Sequence, residues 1–241
     1  MKKRIACLML ALVMLVGLIP VAAVTASAAA SGVSESGVRV IKDYMGFHKT
    51  AYESSKNVYK IGYGTPAVKG QTITEANADK LLREELTKLA GTVYAKFNSL
   101  VQKRFDALVW YSYVEGTGWM SSSEVVGAIN SNAAASTLAN ALCTWDYASV
   151  NFPDDNAARG VIQRRMAMAN LYLNGGYSAS NTGSLGYTVF YAGDDQNAAF
   201  PSGAKKMVQV FSGSFNKVTV SEPVQSGAEF LGWYSGGALL T

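Results

Sequence analysis

Met45-Gly46-Phe47-His48-Lys49-Thr50-Ala51-Tyr52-Glu53-Ser54, followed after five residues by Lys60-Ile61-Gly62-Tyr63-Gly64, is the stretch on which the fold turns. Ahead of it, Val38, Ile41 and Met45 recur at helical spacing, and Gly46 closes that helix. From Phe47 to Gly64 the helical period is lost. Thr, Tyr, Val, Ile and Gly take over, the composition of short strands and turns.

Working outward, residues 31–177 read as mostly helical around this β insert. Thr74 is placed to cap a helix whose apolar face carries Ala78, Leu81, Leu82, Leu86 and Leu89. Phe105, Leu108, Val109 and Tyr113 begin a second amphipathic stretch, ended by Gly116-Thr117-Gly118. Further helices are expected over Ser123 to Ile129, Thr137 to Tyr147 and Asn156 to Leu173, with Asn174-Gly175-Gly176 as a stop. Residues 178–186 have a linker composition. From 187 to 241 the pattern is of β type, with strands expected at Tyr187–Tyr191, Lys206–Phe211 and Lys217–Ser221. The expected class is therefore α+β, a mostly helical domain with a small sheet insert and a small, separate β-rich module after it.

The chain opens differently. Lys2, Lys3 and Arg4 precede an apolar run from Ile5 to about Val24, and Ala26-Ser27-Ala28 follows. A basic start, an apolar middle and a small-residue exit make residues 1–30 a secretory signal peptide. A membrane anchor is the alternative for a run of that length, and the small-residue exit favours cleavage. These residues hold three of the 21 Lys+Arg and none of the 17 Asp+Glu, so the net charge falls from +4 to +1 once they are removed. The basic balance that would suggest nucleic acid disappears with them. With 49% hydrophobic and 16% charged residues in 241, disorder and coiled-coil classes are excluded. Of the two cysteines, Cys7 lies in the signal, which leaves Cys143 as a lone thiol among small and apolar neighbours. It is expected to be buried and inert.

The stretch from Met45 to Gly64 resembles the opening motif of the phage-type lysozymes, glycoside hydrolase family 24, which runs E-G-x-R-x-x-A-Y-x-D and then T-I-G-Y-G. Gly70 to Leu82, Phe105 to Val109, Gly116-Thr117-Gly118, Trp145 and Gly160 to Leu173 are similar to successive later segments. The resemblance covers residues 31–177 and implies a lysozyme-like fold. It implies hydrolysis of the β-1,4 bond between N-acetylmuramic acid and N-acetylglucosamine in peptidoglycan. It also implies a glycan strand as partner and an extracellular or wall-associated bacterial protein, with no nucleic acid.

The catalytic positions depart from that pattern. Where the family carries its general acid this chain has Met45, where it carries its second carboxylate the chain has Ser54, and for the Thr before I-G-Y-G it has Lys60. Glycoside hydrolysis requires a carboxylic acid to protonate the leaving oxygen. A thioether has no proton to give, and losing general-acid help costs roughly two to four orders of magnitude. Impaired hydrolysis, or wall binding without it, is the expectation. Glu53 is the candidate substitute carboxylate, entering the cleft only if its turn is displaced by one residue. Glu115 is a further candidate, and Asp43 points away from Met45 around the helix. His48, at the family's Arg position, is expected in a surface turn.

By the same resemblance Tyr52, Tyr63, Tyr113 and Trp145 are substrate-binding candidates, since aromatic faces suit sugar rings. Tyr63, flanked by two glycines, is expected to be exposed. One histidine and one thiol make no metal set, and no cofactor motif is present. Phe215 to Gly237 resembles the Listeria–Bacteroides-type surface repeats, with Ala228-Glu229 in place of an aromatic beside Gly227. That resemblance implies a β-grasp-like module in a single copy, with a role in surface association.

Overall fold

The computed structural model describes residues 32–145, 155–192, 197–204, 206–212, 221–235 and 238–239. The signal-peptide segment and most of the strand expected at 217–221 lie outside the described residues.

Helix α1 (Glu35–Met45) starts at Ser34, whose Oγ accepts from the Gly37 amide at 3.0 Å, and stops at Gly46, φ 66°. Three antiparallel strands follow in the order β1 (His48–Ser55), β2 (Val58–Gly62) and β3 (Thr65–Ala67). The β1–β2 register shifts by one residue between Glu53 and Ser55, so the displaced turn considered from sequence exists as a bulge at Ser54. Helix α2 (Glu75–Lys96) is capped by Thr74 and turns Ala78, Leu82, Leu86, Ala90 and Val93 into the core. Helix α3 (Gln102–Glu115) is buried without a break from Phe105 to Ser112, which makes it the central helix.

Helix α6 (Asp155–Asn174) packs along it, α5 (Ala135–Thr144) packs on α6, and α4 (Ser123–Asn130) packs on α5. Helix α5 ends at Thr144, three residues before the expected Tyr147. Cys143 is buried in that last turn, and burial pushes its thiol pKa up to about 12. The α1 end of the molecule is tied down by Asp106, fully buried on α3. Its carboxylate accepts from the Ser34 amide at 3.0 Å, from Gln102 Nε2 and Tyr177 Oη at 2.8 Å each, and from Ser34 Oγ. A buried charge held by that many donors joins α1, α3 and the exit of α6 in one knot.

Beyond α6, β4 (Gly186–Tyr191) and β5 (Lys206–Phe211) form an antiparallel hairpin from Gly186↔Phe211 to Tyr191↔Lys206. The hairpin lies against α5. Asn140 Nδ2 donates to the Val210 carbonyl at 3.1 Å, and the Val210 amide donates back to Asn140 Oδ1 at 2.8 Å. One side-chain amide thus satisfies both backbone groups of Val210 on that edge of β5. Leu185, Val208 and Val210 belong to the same buried cluster as the helices. A last two-residue pair, β6 (Tyr234–Ser235) and β7 (Ala238–Leu239), follows Trp233. The Trp233 ring meets Phe190 at 4.8 Å, Phe230 at 5.1 Å and Phe200 at 6.0 Å. Among the described residues no helix is long and apolar enough to cross a membrane.

Candidate functional site

A cleft of about 770 Å³ opens between the end of α1, the β2–β3 turn, one face of α2 and the C-terminal half of α3. Met45, the last residue of α1, stands in it with its Cε against Gly64, whose φ of 99° and missing side chain admit that contact. Lys60 on β2, Tyr113 on α3 and Arg164 on α6 line it too. The opposite wall is α2, which brings Leu81, Glu84, Glu85, Lys88 and Leu89. These five stand at i, i+3, i+4, i+7 and i+8, a second stripe beside the core-facing one. Leu81 and Leu89, expected on the apolar face of this helix, thus stand on the cleft wall beside the charged residues rather than in the core.

Of the four aromatic candidates the structure brings only Tyr113 to the cleft wall. Its hydroxyl donates to the Tyr63 carbonyl at 2.6 Å, and burial, then the Glu85 charge, pushes its pKa up to about 12. Tyr63 is not exposed as expected; it is buried at 3%. Its ring lies under Lys42 Nζ at 4.9 Å, and its hydroxyl donates to Glu75 at 2.8 Å. The flanking glycines serve packing instead of ligand approach. A Cβ on Gly62 would stand 2.7 Å from that of Ala78, and one on Gly64 would strike Met45. Tyr52 is half-buried, with its ring 4.1 Å from that of His48 and tilted to it by 36°, on the hairpin and outside the cleft lining. Trp145 packs edge-on to Tyr111 at 6.4 Å and lies under the Arg165 guanidinium at 5.5 Å.

The candidate carboxylates are each committed elsewhere. Despite the bulge, Glu53 closes on its own hairpin: Oε1 accepts from the Asn57 amide at 2.8 Å, and Tyr59 Oη lies 3.5 Å from Oε2. Ser54 Oγ donates to the Val58 carbonyl at 3.1 Å, and neither residue lines the cleft. Asp43 is exposed and likewise outside the lining. Glu115, 9% exposed in its side chain, sits between two arginines. Oε1 accepts from Arg164 Nε at 3.0 Å and NH2 at 2.7 Å, and Oε2 from Arg165 NH2 at 2.8 Å. Burial is the largest single influence and acts to raise its pKa. The Arg165 and Arg164 charges together outweigh it and hold the carboxyl below its usual range. A group held ionised in this way has no proton to deliver.

Glu84 and Glu85 are the carboxylates that line the cleft. Their side chains are 52% and 49% exposed, with Lys80 at 4.0 Å and Lys88 at 3.3 Å as partners. No cluster of metal-ligating side chains occurs among the described residues.

The family description "Phage lysozyme" matches residues 42–168, just over half of the chain. An endolysin of Bacillus phage B103 is 29% identical over 149 residues, covering 59% of this chain and 54% of that protein. The chain therefore spans about half the length of that curated relative. Among solved structures, an endolysin from Escherichia coli O157:H7 phage FAHEc1 superposes with a TM-score of 0.53 at 26% identity, over 62% of this chain and 98% of that one. The muramidase domain of SpmX from Asticaccaulis excentricus does so with a TM-score of 0.50 at 28% identity, over 59% of this chain and 97% of that one. With a lysozyme-like arrangement of helices around a small sheet, and a family match over more than half of its length, the chain belongs to the phage lysozyme family.

Proposed function

We propose that this protein is an exported, peptidoglycan-binding member of the family, whose cleft holds a glycan strand but hydrolyses it slowly or not at all. The carrying observation is Met45. It ends α1 inside the cleft, packed on Gly64, and the resemblance of the sequence puts the family's general acid at this residue. Polar and apolar groups share the walls around it, as a sugar site requires. Lys60, Lys88 and Arg164 bring positive charge to a cleft that also holds Glu84 and Glu85. The N-terminal 30 residues, read as a signal peptide, carry the protein to the compartment where the wall is. The tail after α6, read as a surface-repeat module, adds attachment there.

The test is co-sedimentation of the full chain with purified peptidoglycan. Saturable binding that Tyr113→Ala weakens supports the reading, and no sedimentation above a control polysaccharide such as cellulose overturns it. A second reading, slow hydrolysis, draws on Glu84 and Glu85 as the carboxylates of the cleft wall. It requires soluble sugar release that Glu85→Gln or Glu84→Gln abolishes.

A further inference from the structure

Tyr44 and Arg164 line two hollows, which adjoin at these side chains. The second, of about 670 Å³, lies between α6 and the chain leading into β4. Its outer wall, from Ala179 to Tyr187 and at Phe211, comes after residue 168, where the family match ends. It is thus built by the part of the chain that the family description does not include.

Two features make this hollow suited to a sugar polymer carrying acidic groups. The first is a fixed cation at the junction. Glu115 sets one negative charge against the two of Arg164 and Arg165, leaving the cluster at net +1. Arg165 is 2% exposed in its side chain and Arg164 24%, so the surplus charge reaches ligand through Arg164. The bonds of Arg164 to Glu115 and of its NH1 to Tyr44 Oη at 3.2 Å hold the guanidinium in place. They take three of its five N–H donors. The second feature is an aromatic floor. Gly186 pairs with Phe211 across the hairpin, and a Cβ there would meet Phe211 Cζ at 2.8 Å, so the missing side chain is what lets the ring lie over the strand. Tyr187, the next residue of β4, also lines the hollow but pairs with the buried Val210, so its side chain belongs to the opposite, core-packed face. Aromatic rings with a few fixed polar groups are the usual furniture of a sugar site.

We propose that this second hollow extends the glycan site. A strand seated in the cleft runs on past Tyr44 and Arg164 and lays further sugar units against Phe211, with a stem-peptide carboxylate opposite Arg164. The inference rests on the peptidoglycan reading above.

The test uses the full chain and calorimetric titration with size-fractionated peptidoglycan fragments of two and eight sugars, each with and without stem peptides. Eight-sugar fragments are expected to bind about tenfold tighter or more than two-sugar fragments. Gly160→Trp is the blocking variant: Gly160 is exposed on the hollow's wall, and an added Cβ meets nothing within 4 Å among the described residues, which leaves room to place a bulky side chain at the hollow. The long-to-short affinity ratio of that variant should fall to within about twofold of unity, well inside one decade. Gln163→Trp, exposed on the same wall, carries the same expectation should the first variant fail to fold. Stripping the stem peptides should weaken the long fragments severalfold. A length advantage that survives both variants, equal affinity for both lengths, or indifference to the stem peptides overturns the proposal. If neither length binds at all, the peptidoglycan reading fails and takes this one with it.

Discussion

Replacing Glu115 by Gln tests the electrostatics of the cleft floor. The carboxylate bridges two guanidiniums, and one of them, on Arg165, is 2% exposed in its side chain, with its Nε lacking any partner among the described residues. Gln keeps the shape and one acceptor oxygen. It removes the only negative charge in the cluster and turns an NH2 group toward Arg donors. Arg165 keeps bonds to the Trp145 and Cys143 carbonyls, so it stays oriented but loses its counter-charge. Breaking a buried ion pair by removing one partner costs about 3–5 kcal/mol. Because Arg164 is still a quarter exposed and partly hydrated, the low end, about 3 kcal/mol, is expected. For a chain of this size that is a fall in Tm of about 6–12 °C. Thermal and urea unfolding at pH 7 would measure it.

The pH dependence carries its own sign. The folded pKa of Glu115 is depressed below its ordinary 4.5. The stabilisation is therefore fully present above that value and is lost as pH falls through the folded pKa. The gap between wild type and variant should shrink on acidification. A cost under about 1 kcal/mol at pH 7, the size of an exposed pair, or a gap that widens toward acid, would refute the argument. It would also reopen Glu115 as a proton donor.

Asp106→Ala should strip the α1–α3–Tyr177 knot of its acceptor, leaving the donors of Ser34, Gln102 and Tyr177 unpaired, at a cost of about 3 kcal/mol in urea unfolding. Asn140→Ala removes both bonds that dock β5, and should raise amide exchange across Lys206–Phe211 by about tenfold or more while the rest of the core holds its protection. Cys143 should resist a thiol reagent such as DTNB at pH 8 in the native protein and react fully in 6 M guanidinium chloride, because burial keeps it a thiol.

Much of the fold was legible because the pattern was local. The Thr74 cap, the Gly46 stop and the core positions Ala78, Leu82 and Leu86 of α2 follow from spacing, and the structure has them, while Leu81 and Leu89, read on the same face, line the cleft instead. The site was less legible, for a reason Tyr63 illustrates. Glycines on either side of an aromatic signal unusual backbone, but sequence does not say whether the freed space admits a ligand or another part of the chain. Here Ala78 and Met45 occupy it. Glu53 shows the same limit: the bulge that could have turned it inward is present, yet its carboxylate is satisfied by its own turn. The pairing of Glu115 with Arg164 and Arg165 crosses some 50 residues, and the Asn140–Val210 exchange 70, so no local pattern announces either.

The central claim is that the cleft binds the wall without the proton donor that cleavage needs. The measurement that tests it most directly follows soluble reducing sugar released from purified peptidoglycan over a long incubation, beside a pull-down of the same protein on the same material. Retention on the wall with release at the level of a heat-inactivated control is the expected result. Sustained, stoichiometry-exceeding release by the unmodified chain would contradict it.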